Sequence, residues 1–155
     1  MLNKLTKLIP IKYTTLDPSI KGRSYGVLIQ IDKEYKEDKG LLAHERVHVK
    51  QFLRLWLSAI PISLVLLYLG YDYNIIPIIA GIGLHGLLYK FSKVYRYKAE
   101  VEAFGYSIAY GNRSVANVKS SLKTYYKIPD SIMKDFDKDM QKSIANAKKD
   151  LNELT

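Results

Sequence analysis

The chain has no cysteine, only three histidines, and a single charged residue, Asp72, between positions 55 and 89. The missing cysteines exclude thiolate zinc sites, iron–sulfur clusters and a disulfide framework together. Any transition metal must then be held by His, Asp or Glu, and the histidine list is short: His44, His48 and His85. The net charge of +9 is spread along the chain and contains no run of five basic residues, which argues against a specific nucleic-acid partner. The opening "MLNKLTKLIPIKYTTLDPS" lacks an apolar run of signal-peptide length and a small-residue cleavage site, so it predicts a mature, cytosol-facing chain.

At 155 residues the chain suits one domain, residues 1–155, large enough to bury a core without disulfide staples. From Arg23 to Tyr35, the β-rich run "YGVLIQI" between Gly22 and the charged turn "DKEYKEDKG" predicts one strand, with "IKYTT" (11–15) as its partner. Asp38 or Lys39-Gly40 marks the start of a helix near Leu41. Later, 91–111 reads as a helix ending at Gly111. A shorter one covers 114–126, and Pro129-Asp130 opens a last one with Ile132, Met133, Phe136, Met140, Ile144 and Leu151 at near-helical spacing, a packing face. The expected class is α+β, mainly α, with C-terminal helices over 114–155.

Two apolar runs, 55–71 and 74–89, are joined by the turn "YDYN". Each is roughly 25 Å long as a helix, against a hydrocarbon core of about 30 Å. Pro61 and Pro77 are expected to kink or interrupt them. Arg46, Lys50 and Arg54 precede the pair, Lys90, Lys93, Arg96 and Lys98 follow it, and tyrosines mark the turn. That is the pattern of a helical hairpin, residues 55–89, with both ends on the cytoplasmic side of a membrane. The rival expectation is a soluble core or a homo-oligomer interface.

The hairpin follows directly on "HERVH", residues 44–48. On a helix, residues four apart lie above one another, so His44 and His48 can point at one ion while Glu45 sits beside it. Two neutral imidazoles leave zinc a strong Lewis acid, and the adjacent carboxylate can take a proton from metal-bound water. With this chain's three His and six Glu, a chance match is expected about once in five hundred such chains. A third ligand must be a carboxylate, Glu100 or Glu102 in "YRYKAEVEAF", or His85; a lone His in an apolar run is more often a packed core residue.

The pairing of "HERVHVKQ" with "YRYKAEVEAF" resembles the gluzincin zinc metallopeptidases, and small peptidase-like proteins of bacteriophages and bacteria. In several gluzincin branches the ligand glutamate stands three residues before a small residue, as Glu100 stands before Ala103. The resemblance implies a minimal zincin-like core, with His44, His48 and Glu100 holding Zn2+ and Glu45 as general base and then acid. It also implies that "GVLIQI" is the edge strand on which an extended peptide is laid. Where many relatives place Asp or Asn to support a ligand histidine, this chain has Phe104, so Glu102 or Arg96 is expected to do so. Tyr97, Tyr106 or Arg96 is expected to stabilise the oxyanion. Some membrane-embedded gluzincins carry a hairpin at the same place in the order. The expected protein is therefore a zinc metallopeptidase acting on a peptide or protein substrate, cytoplasmic or at the inner membrane face. The alternative is a non-catalytic, zinc-stabilised, membrane-associated binding protein.

Overall fold

The computed structural model describes residues 8–73, 75–111 and 113–152, with side chains to residue 150. Residues 1–7, part of the stretch whose sequence predicts a cytosol-facing start, and the Leu151 side chain lie outside the described residues. Among the described residues are a three-stranded sheet and five α-helices, so the class is α+β and mainly α. In chain order they are β1 (Ile11–Thr14), β2 (Gly22–Tyr25), β3 (Leu28–Asp32), α1 (Lys39–Tyr68), α2 (Ile76–Phe91), α3 (Lys93–Ala109), α4 (Val115–Thr124) and α5 (Phe136–Asn152).

The run expected to form one strand is folded back on itself. Tyr25 pairs with Leu28, which leaves Gly26 and Val27 as a two-residue turn. Gly26 has φ +56°, the left-handed conformation such hairpins require at their first central position. β3 is consequently the central strand, parallel to β1 (Ile11 opposite Ile29) and antiparallel to β2. The expectation that "GVLIQI" is an edge strand is thus corrected: both its sides are paired, and β2 takes the edge. Ile29 and Ile31, alternating toward one face, are buried with Leu41 and Val49 of α1. Gly22 lets β2 approach α1 closely, since a Cβ there would lie 3.0 Å from Ile31 and 3.4 Å from Glu45.

Asp32 ties the preceding loop to the sheet end. Its carboxylate accepts from the Leu16 amide at 2.7 Å and the Glu34 amide at 3.0 Å. Those two backbone bonds hold its pKa below the usual carboxylate range. Its contribution to stability is therefore complete above the unfolded value of about 3.9 and disappears as pH falls through the lower folded value. Asp32→Asn should flatten the acid limb of a pH series of thermal melts and leave the neutral limb nearly parallel to wild type.

α1 begins where Asp38 accepts from the Leu41 amide at 2.8 Å, and it continues for 30 residues. Pro61 does not end it. One ladder bond is lost there, but the turns on both sides are held against α2 through Ala59 and Ser63, the buried stripe of this half. Pro77 falls in the first turn of α2, where its missing N–H would have had no helical partner. Ser92 alone separates α2 from α3 and caps α3 through the Tyr95 amide. α3 lies between α1 and α5: Ser107 donates to the Gly40 carbonyl at 2.9 Å, and Ser143 donates to the Glu102 carbonyl at 3.1 Å. α4 ends at Thr124, before the expected 126, and α5 starts only at Phe136. Ile132 and Met133 pack from the turn before it, and Phe104, Val118, Leu122, Phe136 and Met140 close this second core behind α3.

Candidate metal centre

Helical spacing places His44 and His48 one turn apart on the buried face of α1, and α3 brings Glu100, fully buried, against them. The two Nε2 atoms are 3.1 Å apart, and each lies 3.4 Å from a Glu100 oxygen. A tetrahedral zinc site with bonds of about 2.0–2.1 Å has ligand–ligand edges of about 3.3–3.4 Å. The two imidazoles approach that edge length against different Glu100 oxygens, and one donor atom from each residue lies within 4.8 Å of the others. Glu100 Oε2, which faces His44 Nε2, is buried with no hydrogen-bond partner among the described residues, an arrangement unfavourable in a polar cluster unless something is shared between the donors. Two imidazole nitrogens and one carboxylate fit zinc and leave room for a further ligand.

The charges agree. Burial pushes His44 down to about 3. At His48 burial acts the same way, but the Glu100 carboxylate outweighs it and the pKa rises to about 9. Burial alone would raise Glu100, yet the two imidazoles hold it well below the usual range. The carboxylate and the imidazoles pull one another's pKa values toward their charged forms, so the centre favours positive charge beside Glu100. Glu45 is buried beside them, and burial pushes its carboxyl up to about 7.

The orientation of His48 is fixed from behind. Gln51 donates from Nε2 both to the Ala99 carbonyl and to Glu102 Oε2, each at 3.0 Å. Its Oε1 therefore faces His48 Nδ1, also at 3.0 Å, and must accept from it. That assigns the proton to Nδ1 and leaves the Nε2 lone pair of a neutral His48 facing the centre. Glu102, in turn, accepts from Arg54 at 2.7 Å. Gln51→Leu should weaken zinc binding by about 10–100-fold in competition with a chromophoric chelator. Equal affinity of the leucine variant would show that this chain of bonds does not orient the ligand.

Compared with known proteins, the chain matches no family model, no curated protein and no solved structure.

A cavity of about 270 Å3 opens onto the three donors, walled by Gly22, Arg23 and Ser24 of β2, Glu45, and His85, Gly86, Tyr89 and Tyr126. Several sequence expectations are redirected by this geometry. Glu102 supports His48, but only through Gln51. Arg96 serves neither expected role, since it donates to the Tyr89 and Lys90 carbonyls at 2.7 and 2.8 Å and so caps α2. Tyr97 points into the second core and donates to Asp139 at 2.8 Å, and Tyr106 donates to Asp150. Neither lines the cavity, because both sit on the α5-facing side of α3. The hydroxyls that do line it are those of Tyr89, which donates to Glu100, and Tyr126. His85 lies outside the group of three converging donors, and its Nδ1 pairs with the Tyr95 hydroxyl at 2.7 Å. Tyr89 lies near the end of α2, whose packing no local pattern encodes, whereas Gln51 was visible three residues after His48, on the same helical face.

Proposed function

We propose that this chain is a zinc-dependent metallopeptidase. The observation that carries the reading is the convergence of His44, His48 and Glu100, one donor atom from each within 4.8 Å of the others, beside a buried Glu45 that is not itself part of the cluster. A structural zinc site is closed by four protein ligands, whereas three converge here and face a cavity, which favours catalysis over a purely structural role. His44, His48 and Glu100 would hold the metal. When bound, zinc supplies Lewis acidity toward a carbonyl and lowers the pKa of a coordinated water. Glu45 carries the proton between the attacking water and the leaving amine. The outer edge of β2, which pairs with β3 on its other side, offers main-chain groups to an extended peptide next to the cavity.

Hydrolysis of an unfolded protein such as reduced casein, followed by appearance of free amines, tests this reading. It should vanish on dialysis against a chelator and return with stoichiometric zinc. Zinc-loaded chain that leaves the substrate intact, or cleavage indifferent to chelation, would contradict it.

A further inference from the structure

The cavity shares α2 with a very different surface. Beyond Leu55 the first helix and α2 form a hairpin that touches itself along a seam of small residues: a Cβ on Gly81 would stand 3.3 Å from the Ala59 Cβ and 3.4 Å from the Trp56 Cα. Almost everything else on the hairpin is apolar and exposed. Ile60, Ile62, Leu64, Val65 and Leu67, each at least 40% exposed, fan over more than half the circumference of α1 at 100° per residue. Ile76, Ile79, Ile82, Leu84 and Leu87, each at least 39% exposed, do the same on α2. Soluble monomers rarely carry a contiguous apolar surface so extensive.

We propose that this hairpin is inserted in a phospholipid bilayer with an anionic surface, both ends on one side. Three observations select lipid over a second copy of the chain. A pairwise helix contact covers one stripe of each helix, whereas these helices are apolar around their whole outward arc, as a surrounding hydrocarbon solvent requires. Close packing through Ala59 and Gly81 is how helices associate in lipid, where burial of large side chains between them gains little. The charges are sorted: Arg54, Lys90 and Lys98 are exposed near the base, while the tip holds Tyr68, Tyr71 and Tyr73 around the lone Asp72. The apolar part of each helix, roughly 22 Å, is shorter than a hydrocarbon core of about 30 Å; local thinning and extended basic side chains at the base accommodate the difference.

One consequence rests on the peptidase reading. His85, Gly86 and Tyr89 wall the cavity while Ile82 and Leu87, within a turn of them on α2, face lipid. The cavity is therefore held at the bilayer surface, and its substrates are polypeptide segments lying on or emerging from that surface.

Trp56, the only tryptophan, stands at the hairpin base and reports depth. Full-length protein mixed with vesicles of phosphatidylcholine and phosphatidylglycerol should resist alkaline carbonate extraction, and its fluorescence should be quenched by lipids brominated near the headgroup end of the acyl chain. Ile62→Asp with Ile79→Asp, both at exposed positions, should lower partitioning by more than about 100-fold, since an acid at the apolar centre disfavours insertion strongly, while zinc content stays at the wild-type value. Wild type recovered in the aqueous phase, as a monomer or as a dimer with unquenched Trp56, would overturn the proposal. Partitioning without peptide cleavage would support the anchor and count against the peptidase alone; cleavage with no partitioning would do the reverse.

Discussion

Glu45→Gln is expected to lower peptide-bond hydrolysis by about 100- to 10,000-fold while leaving the zinc content and the thermal melting point close to wild type. Glu45 precedes neither a gap nor a ligand position. It projects from α1 between the two histidines toward Ser24 of β2, is 5% exposed, and contributes no atom to the cluster of three donors. Glutamine keeps the volume and can keep a hydrogen bond to the Ser24 hydroxyl, so the fold has no reason to suffer. What it cannot do is accept and return a proton. A structural metal site would be indifferent to this substitution, so activity measured beside metal content separates the two roles. Loss of zinc together with activity would instead make Glu45 a ligand and contradict the assignment.

Glu100→Ala should weaken zinc binding by more than about 100-fold in calorimetric titration, beyond the 10–100-fold expected when an outer supporting group is removed. Glu100 is fully buried and is the one carboxylate within 3.4 Å of both imidazoles. Its loss leaves two nitrogens to hold the ion and strands the Tyr89 hydroxyl that it accepts from. Glu102, two residues away, meets α1 at Gln51 and Arg54 and not at the histidines, so Glu102→Ala belongs to the milder class. An inverted ranking of the two variants would mean that the metal is held elsewhere.

The central constellation was legible because helical periodicity is local. His44 and His48 must share a face whatever the rest of the chain does, Asp38 reads as a cap, and the near absence of charge over 55–89 needs no fold to be seen. Glu100 could be chosen over Glu102 only by resemblance, because both reach α1, one at His44 and His48 and the other at Gln51 and Arg54, and the sequence does not fix how α3 is set along that helix. The hairpin at Gly26 was hidden in a run whose β-propensity is continuous across the turn; only the glycine marked it, and a glycine within a strand is also compatible with an unbroken one. The tyrosines show the limit most clearly. With thirteen in the chain, Tyr97 and Tyr106 flank Glu100 in sequence, yet the α3 face that carries them packs on α5, and the cavity draws its tyrosine hydroxyls from α2 and from the segment after α4. Likewise, that α1 runs unbroken through Pro61 follows from its packing on α2, which proline propensity does not contain.

X-ray absorption at the zinc edge, on wild-type protein equilibrated with zinc and then desalted, addresses the centre most directly. One ion per chain, with two imidazole nitrogens at about 2.0–2.1 Å and oxygen completing a four-coordinate shell, is the predicted result. Protein that emerges free of metal, or whose bound zinc shows no imidazole scattering, would contradict it.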